Sequence, residues 1–288
     1  MPVKIVTDST ADLPAGLAEE LGISVVPIHI RVGAEVYRDG VDISHDELYR
    51  KLATGRVYPT TSQPLPQDFT SIYRDLAKET DEIVSIHIAS SLSGTYQSAR
   101  RAREMVDTTC QIEVIDSRSV SMGLGLIAIA AARLAAEGEA LDRVLAEVRE
   151  AIPNTRLIGF LDSLKYLFLG GRIGRAQALV GSVLNVKPIV TLRDGEFHPS
   201  GQARTRARGV ERLFDFARKS LNIKEMAVVH STTPEEADNL SRRIGASFLD
   251  RSRVHLTRLG PALGVHGGPG TLAVALMGSG GGASTPGD

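Results

Sequence analysis

Tryptophan is absent from this 288-residue chain, cysteine occurs once, and aromatic residues make up only 5% of it. A single cysteine, Cys110, excludes an internal disulfide and a thiolate metal cluster. With so few aromatics, any apolar pocket has to be lined mainly by Leu, Ile, Val and Ala. An excess of one charge is missing too: 33 Lys and Arg stand against 34 Asp and Glu, for a formal net charge of −1. No basic cluster stands out, which argues against nucleic acid or an anionic membrane surface as the main partner. The longest apolar run, Met122 to Ala132, falls short of the ~20 residues a membrane span needs. The opening MPVKIVTDSTADL reads as a strand and a polar turn, not a signal peptide, so a reducing cytoplasm is the expected location. Metal-ligand spacings, a Walker A lysine and a GxSxG elbow are all missing, and neither metal nor cofactor is expected.

What is present is an ordinary globular composition, 42% hydrophobic and 23% charged, in a chain long enough for two domains. Lys4 to Thr7 reads as a strand, followed by a cap-rich turn and a helix over Pro14 to Leu21 that Gly22 stops. Ser24 to Val32 alternates as one half-buried strand, which makes His29 a half-exposed strand residue. Asp39-Gly40 reads as a hairpin turn before Val41 to Ile43, and Ser44 with Glu47 forms a capping box for a helix through Leu52. Pro59 to Pro66 holds three prolines and reads as a stiff extended loop with free hydroxyls, ahead of a helix over Gln67 to Lys78.

Strands over Glu82 to Ile88 and Gln111 to Asp116 then alternate with helices over Thr95 to Met105, Ser121 to Glu137 and Leu141 to Ile152. This rhythm implies crossover units and a mainly parallel sheet. Pro153-Asn154 marks the expected boundary, giving an N-terminal α/β domain over 1–153 and a C-terminal one over 154–278. The second half reads as a mixed set. Strands are expected over Arg156 to Leu161, Glu225 to His230 and Arg253 to Leu259, with a hairpin across Arg193-Asp194-Gly195. Short helices are expected over Ser163 to Leu169 and Gly174 to Leu184. Arg204, Arg206 and Arg208 start a helix running to about Ser220, and another follows a Thr233 to Glu236 capping box. His266 sits in a glycine-rich loop, and residues 279–288 read as a flexible tail.

The stretch Ser90 to Ala99 is the one most suited to chemistry. A buried strand ends in a Ser/Gly loop that opens a helix, so orphan N–H groups, the positive helix end and hydroxyls converge there, as an anion site requires. The same residues are also ordinary capping residues. Ser93 and His266 could instead form a nucleophile and its base, but no obvious orienting acid accompanies them, Asp8 and Asp116 at strand ends being the candidates. Two hydroxyl-rich loops, a glycine-flanked histidine and several arginines fit recognition of a carboxylate or phosphate head better than bond-breaking.

Seven motifs in order resemble the DegV family. They are Asp8 to Leu13, Thr60 to Pro64, Ser90 to Tyr96, Ile115 to Ser117, Gly170 to Ile173, Lys187 to Ile189 and His266 to Gly270. The resemblance covers about residues 3 to 277 and implies two α/β domains, the first with a mainly parallel sheet and the second mixed, with the ligand site near their interface. It implies a bound long-chain fatty acid whose carboxylate is presented to a separate ATP-binding fatty acid kinase subunit, the chain itself not being catalytic. A lipid-sensing protein without kinase coupling and a Ser93/His266 hydrolase or acyltransferase are the alternatives. The resemblance makes Thr61 and Ser93 the carboxylate-binding hydroxyls, with Ser62 and Gly94 beside them and His266 near the head group. Arg204 and Arg172 are the residues it implies for presentation or partner docking. Leu169 stands where the family commonly has lysine, and Gly267 where it commonly has threonine.

Overall fold

The computed structural model describes residues 2–55, 57–179 and 186–278. Strand β1 (Lys4–Asp8) leads through the short helix α1 (Leu17–Glu20) to β2 (Ile23–Val26). The chain then leaves that sheet for β3 (His29–Val32) and β4 (Glu35–Arg38). The single strand expected over Ser24 to Val32 is therefore two. Pro27 has no N–H to give a ladder and breaks the run, while the alternation carries on across the break. The hairpin turn falls at Gly33–Ala34, not at Asp39-Gly40, and Val41 to Ile43 forms no strand, only a bridge between Asp39 and Ile43. Helix α2 (His45–Thr54) is capped by the Ser44 hydroxyl as its sequence predicts. The proline-rich segment contains β5 (Thr60–Ser62), which takes the edge of a three-stranded sheet in the order β4-β3-β5, where flanking prolines are tolerated.

Helix α3 (Pro66–Leu76), β6 (Glu82–His87), α4 (Thr95–Met105), β7 (Gln111–Asp116) and α5 (Met122–Ala136) follow. The strand order β2-β1-β6-β7 is parallel throughout, the arrangement the strand–helix rhythm calls for. Helix α6 (Leu141–Asn154) runs through Pro153, so the proposed boundary lies inside its last turn.

The remaining elements are β8 (Thr155–Phe160), α7 (Lys165–Leu169), β9 (Lys187–Arg193), β10 (Glu196–Ala203), α8 (Arg206–Lys219), β11 (Ile223–His230), α9 (Pro234–Ser247), β12 (Val254–Arg258), α10 (Pro261–Gly267) and β13 (Leu272–Gly278). Their six strands order as β10-β9-β8-β13-β11-β12, antiparallel except for the β11–β12 pair. Gly174–Leu179 is a 3₁₀ segment; the rest of the helix expected to Leu184, like the tail at 279–288, lies outside the described residues.

Five layers result. Helices α3 and α4 cover the outer face of the parallel sheet through Phe69, Tyr73, Ala99 and Ala102. Helices α8 and α9 cover the outer face of the mixed sheet through Leu213, Phe214, Leu240 and Ile244. Between the sheets lie α5 and α6, in one apolar cluster that includes Ile5 and Ile86 of one sheet and Val229 and Ala275 of the other. Helix α5 is apolar and buried on nearly every face; its one charged residue, Arg133 in the last turn, reaches out to pair with Glu225 of β11.

Candidate functional site

The loop from Asp8 to Asp12 folds against the carboxyl end of β1 because its side chains satisfy its own backbone. Asp8 accepts from the backbone N–H of Thr10 (3.1 Å) and of Ile88 (3.1 Å), and contacts His87 Nδ1 at 3.0 Å. His87 Nε2 lies 2.7 Å from Ser85 Oγ, which accepts from the Tyr73 hydroxyl at 2.8 Å. This Ser–His–Asp row is fully enclosed, so it holds the strands together and offers no nucleophile to solvent. It also commits Asp8, which leaves that residue unable to orient His266.

Asp12 accepts from the Gly260 N–H (2.8 Å) and contacts the Ser121 hydroxyl (2.5 Å). Burial pushes its carboxyl up to about 8, against the pull of those two hydrogen bonds. Asp39 is pushed up to about 6 by the same cause while it accepts from Ser9 (2.7 Å) and Ala262 (3.2 Å).

Above this loop lies a cavity of about 250 Å³. Its walls are mainly aliphatic, with Ile88, Leu92, Val120, Leu161, Leu167 and Leu259 among them. Thr61, Ser62, Ser93, Arg172 and His266 all line it, so the structure brings together five of the seven residues singled out in the sequence. Gly94 stands just outside as the N-cap of α4, its Cα packed so closely on the Gln63 side chain that a Cβ would clash. Arg204 is exposed before α8 and does not reach the cavity.

His266 lies in the last turn of α10, not on a loop. The glycine-rich run is helical up to Gly267 because Pro261 starts the helix, and Gly268 and Gly270 end it at φ of +72° and +78°. Side chains at those two positions would also strike Tyr166 and Asp162. His266 Nε2 is 2.8 Å from Thr61 Oγ1, while its buried Nδ1 faces Gly170 and has no partner among the described residues. Burial, with Arg172 nearby, pushes the imidazole down to about 4, so it is neutral at pH 7. Ser93 Oγ bonds to Thr95 Oγ1 at 2.8 Å and accepts from the Thr95 N–H at 3.3 Å. No Ser93–His266 hydrogen bond exists and no carboxylate meets Nδ1, so the two residues are not arranged as a nucleophile and its base.

Arg172 donates from Nε to the Leu92 carbonyl (3.2 Å) and from Nη1 to the Gly170 carbonyl (2.7 Å). It thus ties the Gly170–Ile173 turn to the loop that carries Ser93, and its remaining guanidinium N–H groups have no partner among the described residues. Beside Gly267, where the resemblance leads one to expect a threonine hydroxyl, the space for a Cβ is bordered by Leu259 and the Thr271 hydroxyl. Sequence reasoning missed Thr10, Ser121 and Thr271, which also line the cavity. Each is bonded to a backbone group or carboxylate of its own, and only a fold could bring them to one wall.

Arg206 is the first residue of α8, at the end where the helix dipole disfavours a cation. It pairs with Asp162 (2.7 Å) and Glu236 (2.5 Å), which offsets the unfavourable helix end. The pairing also explains why the Thr233 capping box is not formed: Glu236 turns to Arg206, and the Thr233 hydroxyl caps nothing.

The profile of the family described as "Uncharacterised protein, DegV family" matches residues 2–278. The chain belongs to the DegV family. It is 38% identical over 275 residues to a DegV domain-containing protein of Caldanaerobacter subterraneus, covering 94% of this chain and 97% of the relative. A DegV-family protein from Thermus thermophilus, solved in a study of its fatty acid binding, superposes with a TM-score of 0.89 at 34% identity, covering 96% of this chain and all of that one. DegV from Bacillus subtilis, described as a fatty acid binding protein, gives 0.86 at 30% identity over 97% of this chain and all of that one. A stearic acid-binding protein from Eubacterium ventriosum gives 0.86 at 27%, over 96% of this chain and 98% of its own. The chain thus shares with these DegV-family structures an α/β fold built on a parallel and a larger mixed sheet. No helix among the described residues is long and apolar enough to cross a membrane.

Proposed function

We propose that this DegV-family chain binds one long-chain fatty acid in the 250 Å³ cavity and presents its carboxylate to a separate ATP-dependent kinase subunit that forms the acyl phosphate. The observation that carries the reading is a cavity with aliphatic walls where Thr61, Ser93, Arg172 and a neutral His266 gather. Each buried CH₂ of an alkyl tail contributes about 0.8 kcal/mol, and hydrogen bonds to a carboxylate about 1.5–3 kcal/mol each. Relatives at 30% and 34% identity, described as fatty acid binding, support the ligand class. Phe168 and Leu169 stand exposed beside the Gly170–Arg172 turn that touches His266, an apolar rim suited to a protein partner. In this reading Arg172 holds the head-group loop, Arg204 meets the partner, Ser62 and Gly94 shape the entrance, and the protein works in the cytoplasm as two α/β domains divided near Pro153. No catalytic residue of its own, metal or cofactor is needed.

Two measurements test it. Thr61→Ala with Ser93→Ala should weaken binding of a fluorescent fatty acid at least about tenfold; unchanged affinity would refute the head-group assignment. Mixing lipid-loaded protein with the kinase subunit and ATP should yield acyl phosphate, whereas binding without turnover would favour a lipid sensor.

A further inference from the structure

A second cavity, of about 920 Å³, opens between the end of β7, the C-terminal turns of α6 and α8, and strands β8 to β10. It shares only Leu157 with the first cavity. Arg118, Arg149, Arg156, Arg193, Arg212 and Lys219 line it, in a chain whose net charge is −1.

Its three carboxylates do not neutralise these cations. Asp116 accepts from the backbone N–H groups of Ser90 and Arg118, and Asp215 pairs with Arg218 at 2.9 Å. Asp194 lies 3.9 Å from Arg118, with both side chains largely in solvent. The side chains of Arg149, Arg193, Arg212 and Lys219 make no ion pair or hydrogen bond with a described residue. Lys219, in the last turn of α8, is explained by the helix dipole. Arg193 at the end of β9 and Arg212 in mid-helix are not.

Arg156 is the built part of the site. Its Nη2 donates to Ser220 Oγ at 2.7 Å and its guanidinium lies 5.3 Å from the Phe216 ring centre. Its Nε is buried with no partner, a donor withdrawn from water for no internal return. Partial burial draws this guanidinium down from the usual arginine range, with no carboxylate among the described residues paired to it.

We propose that this cavity is a second ligand site that takes a small polyanion bearing two or more phosphate groups, of nucleoside-diphosphate size. Its cations come from five segments of the chain, the loop after β7, α6, β8, β9 and α8, and a phosphate offers three acceptor oxygens over a wide arc where a carboxylate offers two in a plane. Planar guanidinium forks meet such oxygens in pairs. The volume lies within the ~300–1,000 Å³ of ordinary ligand pockets.

Calorimetric titration of the full chain with inorganic diphosphate and with ADP tests this, with citrate as the carboxylate control. Saturable 1:1 binding of a phosphate probe is expected, weakening as salt rises from ~0.05 to ~0.2 M. The double variant Arg193→Gln, Arg212→Gln replaces two exposed side chains outside the packed layers. It should keep the wild-type unfolding midpoint and lipid content, and bind the probe about tenfold or more weakly. The proposal is overturned by an absence of saturable binding, by equal affinity in the variant, or by a preference for citrate or an oligoglutamate peptide.

Discussion

Thr61 and His266 share one hydrogen bond, and its direction decides which proton faces the cavity. With imidazole Nε2–H donating to Thr61 Oγ1, the threonine proton is free to donate to a carboxylate. His266→Gln keeps a donor there but removes a group whose folded pKa of about 4 lies below the ordinary 6.5. Between those values the unfolded chain holds more protons than the folded one, so this residue makes stability rise with pH. Urea denaturation across pH 4–6.5 should show a shallower rise in the variant; an unchanged slope would show that the imidazole is not buried neutral.

Asp12 acts with the opposite sign. Its folded pKa of about 8 exceeds its ordinary 3.8, so the folded state holds the extra proton and stability falls as pH rises through that window. Above about 7.5, where His266 and Asp39 have lost nearly all their protons in the folded and the unfolded chain alike, Asp12 alone of the three still titrates. Asp12→Asn can still accept from Gly260 and donate to Ser121, and should flatten the stability profile between pH 6.5 and 8. A profile that still falls as in the wild type would mean the carboxyl is ionised in the fold. The raised carboxyls were not readable from the sequence, where Asp8 to Asp12 showed as a cap-rich turn and part of a family motif. Burial of the Asp12 carboxylate depends on Gly260 at the start of α10, 248 residues away, and on Thr257 of β12, which bonds the Asp12 carbonyl.

Helix α5 shows what an element's own sequence can and cannot reveal. Its length and small, apolar composition were plain, but Gly125 has a reason that only packing gives: a Cβ there would come within 2.6 Å of the Ala11 carbonyl. Alanine gains about 1 kcal/mol of helix propensity over glycine. The clash with a fixed backbone oxygen opposes it by about 1–3 kcal/mol, and also displaces the loop carrying Thr10. Gly125→Ala should therefore lower the denaturation midpoint despite its better propensity; a higher midpoint would show that the loop yields freely. Long periodic helices such as Thr95–Met105 and the strand Gln111–Asp116 were legible to the residue. Elements decided by pairing with distant chain were not. The edge strand Thr60–Ser62 needs β3, and α10 looks like a loop because its glycines tolerate helix only when packed against α2.

At the scale of the whole molecule, one apolar cluster joins α5 and α6 to both large sheets, so neither half buries its core alone. The chain should unfold in a single transition by fluorescence and circular dichroism, and a fragment ending at residue 153 should fail to fold. Two separated transitions would contradict the shared core. The parallel-then-mixed plan was legible because strand–helix alternation dictates crossovers. The meeting of Thr61, Ser93, Arg172 and His266 was legible only through family resemblance, since spacing cannot say that positions 61 and 266 touch. The central claim, that this cavity holds a fatty acid, is met most directly by denaturing the purified protein, extracting it and weighing what is released by mass spectrometry. One C14–C18 fatty acid per chain is the predicted result; extracts containing only nucleotide or sugar phosphate, with no fatty acid, would contradict it.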